Sequence, residues 1–333
     1  MNNDSMIYGG FDLAFIDIDV KPLNPNSHEL IETFPPFGSH HTNTQVYFFP
    51  GGNGFNLCRT LATLGRDVTF VGPSSSFYEK LVEQNNIDVN ILPIEGVDVN
   101  YTIIVNSLRG EIQFNSINNN LATEHLNDKL IEIYRRSPLK SISNIALNST
   151  SMDWISSLLL SLFDRKMCLE ELKNLSFEEK LNRFSPTSVD GILFIDPSDI
   201  SSFKYINEFA QILKKVRLLE GEKYLSVNEH ELETLLTVFN KSPQELAKKL
   251  ELPIILHTSD IVKLFGKKYL ELQTKELGKK TTFVGAGDCF NGSFLHSILD
   301  SYSIYDSLKC AIESASYLIE TGLYPTGNVI KNI

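Results

Sequence analysis

Short apolar runs that look like buried strands alternate with helical patterns along most of this chain of 333 residues. The strand-like runs lie at 7–18, 67–72, 145–147, 192–196, 224–227 and 253–256. The helical patterns lie at 54–64, 121–136, 152–163, 202–219, 229–239 and 243–250. Strands that alternate with helices form a mostly parallel sheet with helices on both faces. We therefore predict an α/β fold whose ligands bind beyond the carboxyl ends of the strands.

Two segments interrupt this alternation and predict a small covering sheet. Residues 21–50 are rich in proline and end with a β-prone run, and residues 101–117 have the pattern of a β-hairpin. Irregular segments of such length in a compact domain are often lids or binding loops. We predict a single domain over residues 1–333, with lid segments near 17–50 and 98–117.

The composition excludes several classes of protein. The formal net charge of -11 opposes binding to nucleic acid or to an anionic membrane, because both require a basic surface. No apolar run approaches the roughly 20 residues of a membrane span, and the segment Met1–Ser5 is polar, unlike a signal peptide. The cysteines show no CxxC pair, which favours free thiols in a reducing compartment. We expect a soluble, cytoplasmic protein whose partners are small molecules.

One glycine-rich turn carries the clearest chemical signal. In Val284–Phe290, three residues with little or no side-chain bulk precede Asp288, and an apolar helical pattern follows. Glycine lets the unpaired N–H groups at a helix start approach a ligand, and with the positive end of the helix dipole they form an anion site. A carboxylate beside an anion site fits a base that activates a nucleophile toward that anion. The segment therefore predicts phosphoryl transfer to an alcohol.

A second glycine-rich turn precedes a helical pattern near the start of the chain. Gly51 and Gly52 can bring the backbone close to a ligand, and Asn56 then falls in the first helical turn, where its amide could bond hydroxyl groups. A strand–turn–helix corner with an asparagine near the cap explains the same residues, and on this segment alone it is the better interpretation. Neither glycine turn is a P-loop or completes GxGxxG, so a dinucleotide fold is unsupported.

Polar side chains also follow several of the predicted strands. Asn228 and Glu231 suit either a hydrated Mg²⁺ or a capping box, and the pattern alone favours the cap. Asp12, Asp17 and Asp196 are placed for chemistry at strand ends, although turn or cap roles are the commoner explanation for such aspartates. The pair His257-Thr258 could meet a nucleotide or could equally form an ordinary loop.

Taken together, these segments resemble the PfkB (ribokinase-like) family of carbohydrate and nucleoside kinases. Residues 51–72 are similar to its N-terminal signature, GGxxxNxAxxLxxLG followed by a short strand, and residues 284–292 are similar to its C-terminal signature, which ends TGAGDxFxxG. Residues 228–231 match its NxxE motif, and the order and spacing agree over essentially the whole chain. The resemblance implies a three-layer αβα sandwich with a mainly parallel central sheet and a small β lid.

The resemblance also implies a role for each motif. The implied catalytic groups are a base and the anion hole before it, namely Asp288 with Gly285, Ala286 and Gly287. The implied acceptor contacts are Asp12, Gly51, Gly52 and Asn56. The implied nucleotide contacts are Asn228, His257, Thr258 and Asn291, and Mg²⁺ would be organised by Asn228 and Glu231.

This chain departs from the family pattern in three places. Val284 stands where the family has a threonine before the GAGD core. The family's T-x-G-x-x-G nucleotide loop is replaced by Leu256–Asp260, which has no glycine and whose His-Thr pair is similar to ADP-dependent sugar kinases. The donor is therefore ATP by frequency in the family, with ADP as the alternative. The family's substrate aspartate is missing at its usual spacing, which leaves Asp12 and Asp17 as candidates.

We predict an Mg²⁺-dependent kinase that moves the terminal phosphate of ATP or ADP to a hydroxyl of a sugar or sugar-like molecule. A nucleoside kinase is the nearest alternative, because Tyr47, Phe48 and Phe49 in the lid could stack on a base. A sugar-binding protein of the same fold with little catalysis is a third interpretation, suggested by the altered nucleotide loop. An exposed edge of the lid would also invite pairing across a homodimer.

Overall fold

The computed structural model describes residues 6–34, 42–108, 110–147, 151–164, 166–201, 203–278, 281–282 and 284–330. Residues 35–41 and 109 of the predicted lid segments lie outside this described part. Its strands are β1 (Ile7–Gly9), β2 (Phe15–Pro22), β3 (Thr44–Gly51), β4 (Val68–Gly72), β5 (Asn90–Pro93), β6 (Asn100–Ser107), β7 (Gly110–Ser116), β8 (Leu139–Ile142), β9 (Thr187–Ile195), β10 (Leu219–Val227), β11 (Ile254–His257), β12 (Ile261–Phe265) and β13 (Leu270–Gln273). Its α-helices are α1 (Asn53–Thr63), α2 (Ser76–Gln84), α3 (Asp128–Arg136), α4 (Ser151–Phe163), α5 (Leu169–Asn174), α6 (Phe177–Arg183), α7 (Ile206–Val216), α8 (Glu229–Phe239), α9 (Pro243–Leu250), α10 (Ala286–Leu299), α11 (Ile304–Thr321) and α12 (Gly327–Ile330).

A mainly parallel sheet forms the centre of the molecule. Six of its strands run in the order β13-β12-β11-β10-β9-β8, and a three-stranded piece, β1-β4-β5, meets β8 along β1. The N–H of Gly10 donates to Oγ of Ser141 at that junction, over 3.0 Å. The strand pairs are parallel except those that β12 makes with β11 and β13. The predicted α/β class with a mainly parallel sheet is confirmed.

Residues of the central strands alternate between two apolar cores, one on each face of the sheet. In β9, Leu193 and Ile195 pack with residues of α3, α4, α7, α8 and α9. Their neighbours Ile192 and Phe194 pack instead with residues of α1, α2, α10 and α11. Because helices cover both faces, the molecule is the three-layer αβα sandwich that the sequence predicted.

A separate four-stranded sheet, which we call the lid, has the strand order β3-β2-β6-β7. Asp17, Thr102 and Asn115 stand side by side on three of its strands and line a cleft between the lid and the rest of the molecule. Side chains alternate along each strand, so Ile18 and its neighbour Ile103 point to the opposite, outer face. The inner face of the lid therefore carries a row of polar side chains, and its outer face is apolar.

Two predicted strands differ from the observed elements. The run 145–147 is a short 3₁₀ helix and the strand is β8, because Asn144 adopts a left-handed φ of 51° that ends the extended backbone. The region 7–18 is divided between β1 and β2, because Gly10 and Phe11 also have positive φ values, of 91° and 33°. The chain turns there before it enters the lid.

Two predicted helices are shorter than their sequence patterns. Only α3 is α-helical within 121–136, because the side chain of Asn127 accepts from the N–H of Leu130 and caps the helix at that point. The pattern at 202–219 gives α7, and β10 already begins at its end. Among the described residues, no helix combines the length and the apolar character that crossing a membrane requires.

Candidate active site

A cleft of about 350 Å³ opens at the carboxyl ends of the central strands, beneath the lid. The inner face of the lid, the turn from β3 into α1, the segments that follow β8 and β10, and the start of α10 enclose it. Among the lining residues are Phe15, Asp17, Thr102, Gln113, Asn115, Gly52, Asn53, Asn56, Asn228, Gly285, Gly287 and Asp288. Two glycine-rich turns that are far apart in sequence therefore meet at one site.

The glycine turn that contains Gly285 and Gly287 forms the start of α10. Gly285 is the N-cap with a left-handed φ of 75°, which favours glycine, and the helix begins at Ala286. The first N–H groups of an α-helix have no partner within it, and they carry the positive end of the helix dipole. Gly285 and Gly287 line the cleft, so this end of α10 faces it, and a helix start of this kind suits an anion.

Asp288 lies in the first turn of α10 and is 7 % exposed. Burial raises its pKa well above the usual value, and the nearby charge of Asp196 raises it further. A hydrogen bond from Nδ2 of Asn56 to Oδ2 of Asp288, 3.0 Å long, acts in the opposite direction and lowers that pKa. A carboxylate with a raised pKa is a stronger base once it is ionised, so Asp288 is suited to accept a proton from a bound hydroxyl.

Asn56 connects the two glycine turns. It lies in α1, is 7 % exposed, and its side chain reaches across to Asp288. Its carbonyl oxygen, Oδ1, accepts from the hydroxyl of Tyr324 over 3.2 Å. The sequence motifs predicted Asn56 and Asp288 but not Tyr324, which lies close to the end of the chain and belongs to no local pattern.

Gly51 and Asp17 are in contact across the two lid strands β3 and β2. A Cβ atom on Gly51 would lie 2.0 Å from Oδ2 of Asp17, so only glycine leaves room for this carboxylate. Burial raises the pKa of Asp17 to about 7, while a hydrogen bond with Thr102 lowers it. Of the two candidate substrate aspartates, Asp17 is the one that lines the cleft.

Asp12 lies beneath the cleft floor and is 2 % exposed. Its oxygens accept from the N–H of Leu13, the N–H of Gly54 and Nδ2 of Asn144, at 2.6, 2.9 and 2.8 Å. Burial nevertheless raises its pKa to about 8. Asp12 is not among the cleft-lining residues; it holds the start of α1 and Asn144, which does line the cleft.

The predicted capping box at the start of α8 is present. Oδ1 of Asn228 accepts from the N–H of Glu231 over 3.0 Å, and the two oxygens of Glu231 accept from the backbone N–H and Nδ2 of Asn228 over 2.9 and 2.8 Å. Asn228 lines the cleft, whereas Glu231 is 4 % exposed. Burial and the neighbouring Asp196 raise the pKa of Glu231 to about 8.

These residues fit a divalent cation held through water. The charge of Asp196 raises the pKa of the buried Glu231, and a cation would relieve this repulsion. Both oxygens of Glu231 are already engaged by Asn228, so contact with the metal ion would pass through the waters that Mg²⁺ usually retains. The described residues contain no group of three His, Cys, Asp or Glu arranged to ligate a metal directly.

The three remaining predicted nucleotide contacts occupy different places. His257 ends β11, and its Cε1 would lie 3.4 Å from a Cβ on Gly287; burial lowers the pKa of this histidine to about 4, so its imidazole is neutral. Oγ1 of Thr258 accepts from the N–H of Ile261 in a turn. Asn291 is 1 % exposed and bonds Asp196 beneath the cleft. Of these three residues, Asn291 lies within α10 and His257 packs against the start of that helix.

A polar network under the cleft was not predicted from the sequence. Nδ2 of Asn53 donates to Oγ of Ser198 over 2.9 Å, and that hydroxyl donates to Oδ1 of Asn144 over 3.0 Å. Ser198 and Asn144 both adopt left-handed backbone with φ of 60° and 51°. Ser198 lies in the loop after β9, and Asn144 lies in the loop after β8. The prediction of a strand at 145–147 concealed the loop that contains Asn144.

Comparison with known proteins supports a kinase fold. The model of the family described as "pfkB family carbohydrate kinase" matches residues 11–323. A search of curated proteins found no match.

Solved structures with the same fold include three kinases. A ribokinase from Thermotoga maritima is 17% identical, with a TM-score of 0.68 over 98% of this chain and 97% of that chain. Arabidopsis thaliana ribokinase, complexed with ribose and ATP, is also 17% identical, with a TM-score of 0.67 over the same shares. Phosphofructokinase-2 from Escherichia coli, in complex with substrates and products, is 14% identical, with a TM-score of 0.66 over 98% and 97%. At these identities the likeness establishes the fold alone.

Proposed function

The chain belongs to the pfkB family of carbohydrate kinases, and from that premise we propose that it transfers the terminal phosphoryl group of a nucleotide to a hydroxyl of a sugar-like acceptor. The observation that carries the proposal is the position of Asp288, a buried carboxylate in the first turn of α10, within the cleft and beside the helix N–H groups. A base and an anion hole at one point are what this transfer requires.

The proposed reaction follows from that arrangement. The carboxylate of Asp288 takes the proton of the acceptor hydroxyl while the hydroxyl oxygen forms a bond to the terminal phosphorus. The bond from that phosphorus to the bridging oxygen of the nucleotide breaks, and the shortened nucleotide leaves with the electron pair. N–H groups at Gly285, Ala286 and Gly287 stabilise the negative charge on the transferring group.

The family implies Mg²⁺, which when bound would neutralise charge on the nucleotide phosphates. We assign its water-mediated contacts to Asn228 and Glu231, because Asn228 lines the cleft and Glu231 has a raised pKa behind it. His257, as a neutral imidazole beside Gly287, can donate a hydrogen bond to a phosphate oxygen. Thr258 would contribute to the nucleotide site by holding the turn in which it lies. Asn291 would contribute to the same site by positioning Asp196.

The donor is ATP or ADP. One relative of this fold is a ribokinase complexed with ribose and ATP, and another, from Cryptococcus neoformans, is a ribokinase in complex with ADP. The segment Leu256–Asp260 of this chain lacks glycine, which leaves both donors to be tested.

We propose that the acceptor carries no phosphate of its own. The charged side chains among the cleft-lining residues of the described part are Asp17 and Asp288, and the other polar groups there are mainly carboxamides. Carboxamides and carboxylates bond hydroxyl groups well, whereas a phosphate ester would face two like charges without a paired cation. An uncharged polyol, bonded by Asp17, Asn56 and the N–H groups near Gly51 and Gly52, fits this lining.

One observation favours a nucleoside as the second candidate. The rings of Tyr47 and Phe49 stack, with centroids 6.3 Å apart, and alternation along β3 places both on the inner side of the lid. Aromatic rings of this kind can hold a base. Phe48 points to the outer face and would take no part.

A single assay tests these proposals. Free sugars, their phosphate esters and nucleosides are each incubated with ATP or ADP and Mg²⁺, and phosphoryl transfer is measured. Transfer to an uncharged acceptor is expected, and Asp288→Asn should reduce kcat by about 10²–10⁴-fold, while Asp88→Asn, an exposed aspartate between α2 and β5, should not. Binding of a sugar by calorimetry with no nucleotide binding would replace the kinase with the sugar-binding alternative.

The outer face of the lid supports a homodimer. Val46, Phe48, Ile103, Ile112 and Phe114 are 41 to 58 % exposed on neighbouring strands, although the chain carries a net charge of -11. An uncharged apolar face can meet its own copy across a two-fold axis without bringing like charges together. We propose a second copy of this chain as its partner, and we place the protein in the cytoplasm because its cysteines are free thiols.

Sedimentation measures this dimer directly. The unmodified chain should sediment as a dimer, and Phe48→Ser combined with Phe114→Ser should give a monomer with an unchanged circular dichroism spectrum. Tyr302→Ser, which changes an exposed aromatic residue outside the lid, is the matched control. A monomeric unmodified chain would refute the proposed dimer without affecting the kinase proposal.

A further inference from the structure

The last part of the chain reaches back into the active site. After α11, Gly322 turns the backbone with a left-handed φ of 74°, and Tyr324 then points toward the cleft. Its hydroxyl donates to Oδ1 of Asn56 over 3.2 Å. The same hydroxyl oxygen would lie 2.9 Å from a Cβ on Gly285, so it packs directly against the cap of α10. Tyr324 therefore contacts both glycine turns at once.

The carboxamide of Asn56 can satisfy its neighbours in one orientation only. Its Nδ2 donates to the carboxylate of Asp288, an acceptor. That leaves Oδ1 on the other side of the amide, where it needs a donor, and the hydroxyl of Tyr324 supplies it. Rotation of the amide by half a turn would set an oxygen against the carboxylate of Asp288 and would lose the bond to it. The carboxylate of Asp288 thus selects the orientation of the amide, and the hydroxyl of Tyr324 holds the amide there through a second bond.

Tyr324 is itself held in place. The guanidinium of Arg59 lies over its ring, 4.1 Å from the centroid, which is a favourable cation–π distance. The end of α11 is also tied to the segment before Gly285, because the carbonyl of Ile319 accepts from the N–H of Thr281 over 2.7 Å. These contacts fix the tyrosine relative to the start of α10.

We propose that Tyr324 is a positioning residue that orients Asn56 and, through it, the carboxylate of Asp288. The proposal rests on the proposed function, in which Asp288 is the base. Tyr324 touches no reacting atom in this scheme. Its effect on the reaction passes through the side chain of Asn56, and that restriction makes the proposal testable.

The substitution Tyr324→Phe removes the hydroxyl and retains the ring that packs on Arg59. We expect kcat to fall about tenfold, less than the 10²–10⁴-fold that a general base contributes. The KM for the nucleotide should stay within about twofold, because the nucleotide is bound by other groups. Tyr302→Phe, at an exposed tyrosine just beyond the end of α10 that is opposite the cleft, should change neither value. An unchanged kcat in Tyr324→Phe would overturn the proposal.

A double-mutant cycle distinguishes positioning from a general structural effect. In an Asn56→Ala background the hydroxyl of Tyr324 has no amide to orient, so adding Tyr324→Phe should change kcat by less than about twofold. If Tyr324→Phe instead lowers kcat about tenfold in both backgrounds, Tyr324 acts independently of Asn56 and the proposal fails.

A measurement that does not depend on activity separates this proposal from the proposed function. The side-chain amide signal of Asn56 can be assigned in an NMR spectrum by its loss in Asn56→Ala. We expect Tyr324→Phe to shift this signal and to accelerate its exchange with solvent, and Tyr302→Phe to leave it in place. A shifted signal in a protein that transfers no phosphate would uphold the positioning role and refute the kinase. An unmoved signal would refute the positioning role in either case.

Discussion

Gly51→Ala should disturb the active site through one defined collision. The new Cβ atom would lie 2.0 Å from Oδ2 and 2.3 Å from Cγ of Asp17. Ordinary contact begins near 3.4 Å, so the carboxylate would have to retreat by about 1.4 Å. The carboxylate of Asp17 is buried and hydrogen-bonded with Thr102, which limits that retreat. Overpacking of this kind costs about 1–3 kcal/mol, and we expect the free energy of unfolding to fall by that amount.

The same collision should affect binding of the acceptor. Because Asp17 lines the cleft, its displacement should raise the KM for the acceptor, while kcat changes less because Asp288 is not moved. Unfolding in urea and steady-state kinetics measure the two effects on one protein sample. Gly278→Ala is the matched control, since Gly278 is exposed and a Cβ there would meet no atom within 4 Å.

Removing the carboxylate of Asp17 should relieve the collision. In an Asp17→Ala background, Gly51→Ala should cost less than about 0.5 kcal/mol, because no carboxylate then occupies the position of the new methyl group. The reasoning is refuted if Gly51→Ala is as harmless as Gly278→Ala. It is equally refuted if the cost persists without the carboxylate of Asp17.

Three further predictions follow from the charges and the backbone of the site. Burial raises the pKa of Asp17 from 3.8 to about 7, so between these pH values the folded protein holds a proton that the unfolded chain has released, and stability is lost as the pH rises. Unfolding in urea from about pH 4 to about pH 7 should show this loss in the unmodified chain and a flatter profile in Asp17→Asn; parallel profiles would contradict it. Glu231→Gln should raise the Mg²⁺ concentration for half-maximal activity by about 10–100-fold, measured by titration with Mg²⁺, and an unchanged requirement would remove Glu231 from the metal site. Gly285 has a φ of 75° and packs against Tyr324, so Gly285→Ala should lower kcat clearly while the melting temperature falls only slightly. A kcat equal to that of the unmodified chain would argue against an anion hole at this cap.

Features that depend on local backbone geometry could be predicted from the sequence. A glycine turn before an apolar helix specifies a helix start wherever it occurs, so the positions of Gly285 and Asp288 followed from the sequence. The Asn228–Glu231 capping box is likewise complete within four residues. Because the strands are mostly parallel, these segments arrive at one edge of the sheet, and Asn56 lines the same cleft as Asp288.

Contacts between distant segments could not be predicted in the same way. Asp12 and Asp17 look alike in sequence, and the fold separates them because the chain turns at Gly10 before the lid strand begins, which leaves Asp17 on the inner face and Asp12 beneath the floor. Asn144 was concealed by an apolar run that forms a 3₁₀ helix. Tyr324 lies 268 residues from Asn56 and carries no local pattern.

The charges of the cleft explain how an acidic protein can act on an anionic donor. Burial raises the pKa of Asp196 to about 6 and that of Glu231 to about 8, and it raises the pKa of Asp288 as well. In the free protein these carboxylates therefore disfavour their own ionisation. A bound cation would favour the ionised forms, and the N–H groups at the start of α10 would hold the phosphate without a basic side chain from the described residues that line the cleft. Asp288 would therefore ionise, and become an effective base, only when a metal–nucleotide complex is bound. It would then act only when a phosphoryl group is there to be transferred.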